Sequence, residues 1–209
     1  MSFTDPPADC QRCSRLVAFR KDWQQKEPQW FNGAVPSFGD EKADLLIIGL
    51  APGVRGANAT GRPFTGDYAG DLLYETLLKF DFAQGQYEAK PDDGLKLVST
   101  GIINAVRCVP PANKPTLDEI KTCNDFLKTS IDYIQPKVIL CLGRVSHDAT
   151  LRSFGLKMKD FPFAHGSEHL LPSTINLISS YHCSRYNTQT KRLTTQMFED
   201  IFEVIKGKL

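Results

Sequence analysis

Four short runs of this chain are apolar almost throughout, and a stretch of helical spacing separates each from the next. Strands are expected at 44–50, 100–105, 137–142 and 174–179, with helices near 71–80, 117–134, 144–154 and 193–205. A strand that is apolar on both faces has to be covered on both faces, and its alternation with helices makes neighbouring strands parallel. The expected fold is therefore α/β, a three-layer α/β/α sandwich with a central four-stranded parallel sheet. At 209 residues it fits a single domain over 1–209, with residues 1–40 as an N-terminal arm. Thr116 and Glu119 have capping-box spacing, which sets the start of the helix at 117–134.

Sheets of this kind bind ligands outside the carboxyl ends of their strands. Four loops meet there: 49–70, 104–113, the turn from Gly143, and 180–187. The first is long and glycine-rich, and it carries Phe64 and Asp67 within a few residues of each other. An aromatic ring beside a carboxylate suits a flat ligand that needs both stacking and chemistry. A phosphate loop is disfavoured, because neither a Gly-Lys-Ser/Thr ending nor a compact Gly-x-Gly-x-x-Gly is present. Asn104, at the tip of the second strand, offers the donor and acceptor that read the edge of a planar base. His182 leaves the last strand opposite the glycine-rich loop, a placement that raises its standing as a catalytic group. Arg55, Arg62, Arg107, Lys114, Arg185, Lys191 and Arg192 fall in or beside these loops, and each taken alone reads as solvated surface charge.

The net charge is only +1, so a nucleic-acid partner would have to be held by a local patch rather than by the field of the whole chain. No apolar run is long enough to span a bilayer, and the first residues lack the pattern of a signal peptide; a cytoplasmic protein is expected. Six cysteines in such a chain are not naturally disulfides. Cys10 and Cys13 form a Cys-x-x-Cys in the arm, Cys108 follows the second strand, and Cys123 lies on the next helix. If the arm folds back over that strand end, four thiolates converge and hold either zinc or an iron–sulfur cluster. The purpose would be structural, tying down an arm with little core of its own. Cys141, inside the apolar Val138-Ile-Leu-Cys-Leu142, reads as core.

The segments Gly49-Leu-Ala-Pro-Gly53, Gly61-Arg-Pro-Phe-Thr-Gly-Asp67, Asn104-Ala-Val-Arg-Cys-Val-Pro-Pro111 and Tyr181-His-Cys-Ser-Arg-Tyr-Asn-Thr188 together resemble the motifs of the iron–sulfur uracil-DNA glycosylases. The pattern is most similar to the B-type, or family 5, enzymes, and it runs from Cys10 to Thr194. The resemblance implies hydrolysis of the N-glycosidic bond of uracil in DNA, and of other deaminated bases such as hypoxanthine or xanthine. The nucleotide is flipped out of the helix and an abasic site is left. Asp67 would orient the attacking water and offset the cationic sugar, while His182 would hydrogen-bond the departing uracil oxygen. Phe64 would stack on the base, Asn104 would read its polar edge, and backbone groups of Gly49 and Ala51 would complete the pocket. Ser184, Arg185 and Asn187 would grip the DNA, with Arg185 and Tyr186 filling the gap left by the flipped base. The resemblance further implies a 4Fe-4S cluster on Cys10, Cys13, Cys108 and Cys123, with zinc as the alternative, in a protein expected to be a monomer.

Three departures from the family pattern bear on the chemistry. Family 4 relatives carry an acid in the first motif, whereas Leu50 and Ala51 stand in that region here, which leaves the carboxylate role to Asp67. Cys183 replaces the proline of the usual His-Pro-Ser and frees the dihedral that proline would fix, so a looser loop is expected. Gly53 and Arg55 stand where B-type sequences often have alanine and histidine. The competing reading is a noncatalytic iron–sulfur or zinc DNA-binding module of the same fold, which Cys183 favours and the retained Asp67, Asn104 and His182 oppose.

Overall fold

The structure, a computed structural model, describes residues 5–209; residues 1–4 of the expected arm lie outside the described residues. Eight strands follow in chain order: β1 (Phe38–Gly39), β2 (Leu45–Gly49), β3 (Ala83–Gln84), β4 (Lys96–Leu97), β5 (Thr100–Asn104), β6 (Val138–Leu142), β7 (Glu168–Leu170) and β8 (Asn176–Ser180). The helices are α1 (Ser14–Lys26), α2 (Ala57–Thr60), α3 (Tyr68–Lys79), α4 (Leu117–Ile134), α5 (Arg144–Ser153), α6 (Arg185–Gln189) and α7 (Thr195–Lys206).

The expected four-stranded parallel sheet is present as β5-β2-β6-β8, but it is the centre of a six-stranded sheet. The additional strands, β1 and β7, pair antiparallel on the two edges. They are two and three residues long, too short to show any periodicity in sequence. Each central strand is buried on both faces, and successive residues feed opposite layers. Leu45 and Ile47 pack with Leu73, Leu77, Phe198 and Phe202 under α3 and α7. Leu46 and Ile48 pack with Leu127, Ile131, Ala149 and Leu151 under α4 and α5. The same alternation puts Leu140 in the first layer and Cys141 in the second, where it is fully buried as expected of a core thiol.

The Thr116 capping box forms, with Glu119 N–H donating to Thr116 Oγ1 at 3.2 Å and Thr116 N–H donating to Glu119 Oε2 at 2.7 Å. The helix expected at 71–80 begins earlier, at Tyr68, because Asp67 supplies its cap. The arm is not loose chain. It contains α1, which buries Leu16 and Arg20, and the Arg20 guanidinium donates to the carbonyls of Ala8 and Cys10 so that the preceding residues fold back on the helix.

Two of the basic residues read as solvated charge are buried instead. Arg107 is 1% exposed and donates to Asp5 Oδ1 (2.8 Å), Ser37 Oγ (3.1 Å) and Ser130 Oγ (3.3 Å), binding the described start of the chain to β5 and α4. Arg62 is 5% exposed and pairs with Asp93. Both lie beside strand ends, as their positions required, but inside the protein.

The chain leaves β2 for β5 on one side and then crosses β2 to β6 and β8 on the other. The loops after β2, β5 and β8 therefore diverge around one crevice at the carboxyl ends of the strands.

Candidate active site and cysteine cavity

The crevice is a cavity of about 400 Å³ whose walls come from all three loops. Of the residues singled out in sequence, Ala51, Phe64, Asp67, Asn104, His182, Ser184 and Arg185 line it.

Asp67 caps α3, with Oδ1 accepting from Gly70 N–H at 3.1 Å. Burial raises its carboxyl above the ordinary value, and the backbone N–H groups of Gly70 and Ala69 pull it part of the way back. The other carboxylate oxygen faces Gly53 and Gly56: a Cβ at either would come within 3.1 Å or 2.5 Å of Oδ2. The missing side chains thus keep space open beside the acid.

Phe64 sits at the base of the glycine-rich loop with φ +53°, a conformation costly for a large side chain. Gly70 permits it, since a Cβ there would lie 1.7 Å from Phe64 O. The Phe64 and His182 rings face each other at 27° with centroids 6.0 Å apart. A base sandwiched between two rings needs about 7 Å, twice the usual stacking distance. The gap between the two rings is therefore too narrow for a base to lie between them as they stand.

His182 makes no side-chain hydrogen bond among the described residues, and burial alone lowers its pKa to about 4. The ring is therefore neutral at physiological pH and has an N–H to give. The Asn104 amide, 3% exposed at the end of β5, likewise has no protein hydrogen-bond partner among the described residues. Two unused polar groups in a largely apolar pocket are what a specific ligand would satisfy.

Two expected positions act differently from the reading of the sequence. Gly49 does not line the cavity; its carbonyl is taken by Ala105 N–H at 2.9 Å. Its contribution is absence of a side chain, because a Cβ would lie 2.4 Å from Asn104 Oδ1 and 2.6 Å from Phe64 Cζ. Asn187 also stands back from the cavity, and its Nδ2 donates to His182 O at 2.8 Å. Ser184 caps α6, accepting from Asn187 N–H at 3.4 Å. Cys183 is fully buried and its thiol donates to Ala69 O at 3.3 Å, a contact between the His182 loop and the first turn of α3.

Sequence reasoning missed Tyr68 and Asn113, which line the mouth. Tyr68 lies under the Arg185 guanidinium, 5.3 Å from its ring centroid. Its place directly after a capping acid was the available sign. Asn113 has φ +53° in the turn after Pro110 and Pro111, a conformation asparagine tolerates and turn chemistry could have suggested.

The model of the uracil DNA glycosylase superfamily matches residues 36–206, the whole span that carries these walls. The chain belongs to the uracil DNA glycosylase superfamily. It is 41% identical over 207 residues to a type-5 uracil-DNA glycosylase of Thermus thermophilus, covering 96% of this chain and 94% of the relative. A type-5 enzyme of Pyrobaculum aerophilum is 32% identical over 95% of this chain and 88% of its own length. A type-4 uracil-DNA glycosylase of Saccharolobus solfataricus is 29% identical over 98% of this chain and 85% of its own.

In this member of the superfamily Cys10, Cys13, Cys108 and Cys123 border one small cavity between the arm, the loop after β5 and α4. Burial pushes the Cys108 thiol up to about 12, with Cys123, Cys10 and Cys13 adding to the rise. Burial and then the Cys123 charge raise Cys13 as well. Arg107 N–H donates to Cys123 Sγ at 3.3 Å. Among the described residues no three His, Cys, Asp or Glu side chains gather as ligands of a single ion.

Proposed function

We propose that this chain is a monofunctional uracil-DNA glycosylase that hydrolyses the N-glycosidic bond of uracil in DNA after base flipping. The observation that carries the reading is one pocket in which an unpaired Asn104 amide and a neutral, unpaired His182 face Phe64 and a half-buried Asp67. The flipped base stacks on Phe64, and its polar edge pairs with the donor and acceptor of Asn104. As the bond between the sugar C1′ and the base nitrogen breaks, negative charge grows on the base and positive charge on the sugar. His182 donates to the base oxygen, and Asp67 faces the sugar, offsets its charge and holds the water. The water's hydroxyl ends on C1′ and its proton on the base, so the strand stays whole.

The absence of an acid at Leu50 and Ala51 leaves the pocket free of a second carboxylate, which supports acceptance of hypoxanthine and xanthine besides uracil. Ser184 and Arg185 line the cavity and the next residue, Tyr186, is 70% exposed, so the three would meet the DNA backbone and the gap left by the base. The protein is read as a monomer acting through a single domain. Among the described residues no helix is long and apolar enough to cross a membrane.

We also propose a 4Fe-4S cluster held by Cys10, Cys13, Cys108 and Cys123. Four cysteines bordering one cavity, with no histidine or carboxylate among its lining, make an all-thiolate ligand set that suits an iron–sulfur cluster, and the resemblance to the iron–sulfur glycosylases supports that group over zinc. When bound it would supply thiolate bonds that pin the arm and α4 to the loop after β5, away from the reacting atoms.

The deciding experiment is base release from oligonucleotides carrying uracil, hypoxanthine or xanthine, single- and double-stranded, with the cluster-loaded protein. Free base and an uncut abasic strand are expected. Tight DNA binding with no release from any of the three would establish the noncatalytic reading instead. A brown preparation with iron in excess of zinc is expected; a colourless one with stoichiometric zinc overturns the cluster.

A further inference from the structure

The loop that carries Phe64 and Asp67 is anchored from behind at three successive residues. Arg62 donates to both oxygens of Asp93, at 2.8 and 2.7 Å, and its Nε donates to Thr65 Oγ1 at 2.7 Å. Tyr74 OH donates to Pro63 O at 2.7 Å, and Tyr87 OH donates to Phe64 O at 3.3 Å. The guanidinium lies 5.1 Å from the ring centre of Phe38, 5.4 Å from that of Tyr74 and 5.8 Å from that of Tyr87. The two tyrosines stack on each other at 4.5 Å.

Asp93 and Tyr87 both come from the excursion between β3 and β4. That excursion closes on the same carboxylate, since Asp93 also accepts from Glu88 N–H at 3.0 Å and Leu95 N–H at 3.1 Å. The side chains of the pair are 5% and 0% exposed. A buried ion pair adds little net stability compared with well-packed apolar residues, because desolvation offsets the attraction. What it supplies is geometry: a planar fork on a carboxylate fixes both distance and direction. The loop it fixes contains Phe64 at φ +53°, and such a conformation persists only where the surroundings over-determine it.

We infer that Arg62 and Asp93 are positioning residues, and that the 85–95 segment is a strap through which they hold Phe64 and Asp67 in register with His182. The inference rests on the glycosylase reading for its kinetic consequence and on the Phe64–His182 contact for a consequence independent of activity.

The test is Asp93→Asn in the full, cluster-loaded chain, which keeps the shape of the carboxylate and removes its charge. Single-turnover release of uracil should fall about 100-fold, as for a displacement of about 1 Å at a reacting centre. Affinity for the abasic product should stay within about twofold, since the groups at the mouth are untouched. The ring signal of His182 in a proton–carbon NMR spectrum should move, because the Phe64 ring faces it, while those of His147, His165 and His169 stay in place. An unchanged release rate and an unchanged His182 signal, even with a lower melting temperature, would make the pair merely structural and overturn the inference. If the unaltered protein releases no base, the glycosylase reading fails and the His182 signal alone decides the positioning role. Should Asp93→Asn not fold, Tyr87→Phe removes only the hydroxyl on Phe64 O and is read the same way, with an expected loss of about tenfold.

Discussion

Asp67 caps α3 and, in the proposed reaction, faces the sugar, and two substitutions separate the roles. Asparagine caps as well as aspartate does, so Asp67→Asn should leave the melting temperature nearly unchanged while base release collapses. Asp67→Ala should lose the same activity and, in addition, about 1 kcal/mol of stability from the missing cap. Calorimetry beside single-turnover kinetics checks both; a stable and fully active Asp67→Asn would remove the carboxylate from the chemistry. The pH profile follows from the same pocket. His182 is neutral in the fold down to about 4, so the release rate should be flat through pH 6.5, where an ordinary histidine titrates. The fall should come on the acid side, where Asp67, raised above its usual value, takes up a proton. Stability carries the sign of a buried neutral histidine: between pH 6.5 and about 4 the unfolded chain binds a proton that the fold refuses, so His182 lowers stability as pH falls through that window. The denaturant midpoint of the unaltered chain should therefore fall relative to that of His182→Ala as pH drops through that range. An inflection of the release rate at pH 6.5 would show that the imidazole is not the neutral donor.

The elements that could be read from the sequence are those whose instructions are local. Apolar runs marked the four parallel strands, and Thr116 with Glu119 marked the start of α4 to the residue. Phe64, Asp67, Asn104 and His182 could be picked out because Asn104 ends such a strand and the others lie in the loops that follow one, where α/β chains place ligands. What stayed hidden is long-range or too short. The edge strands β1 and β7 are defined by their partners and not by their own residues. α1 carries so thin a buried stripe, Leu16 and Arg20, that its pattern is not distinct. The burial of Arg62 depends on an acid 31 residues away, and no spacing rule announces it. Asn187 shows the same limit at α6, since its amide donates to His182 O, a contact that its place in the sequence does not announce. Asn187→Ala should therefore slow single-turnover release by about tenfold through a displaced His182. Affinity for the abasic product should hardly move, and loss of affinity with an intact release rate would return Asn187 to the DNA interface.

At the scale of the molecule, two distant tethers hold the three walls of the pocket. A cluster in the cysteine cavity would bind the arm to α4 and the loop after β5, so under the proposed reading stripping iron from the loaded protein should expose the segment before β1 to protease before the sheet is cut. Uniform digestion of the whole chain would mean that the cluster supports the entire fold. With a net charge of +1, DNA affinity has to come from a few cations near the mouth. Arg185→Ala should weaken binding of every sequence alike and flatten its salt dependence by about one unit of slope, measured by titration at several ionic strengths. The second tether is the Cys183 thiol on Ala69 O, which spans 114 residues of sequence and joins the histidine loop to the helix capped by the acid. Burial drives this thiol far above its ordinary pKa, so it is inert while the two loops stay together. Its alkylation can proceed only when they part, which makes the labelling rate of this one sulfur a clock that counts how often the pocket comes open.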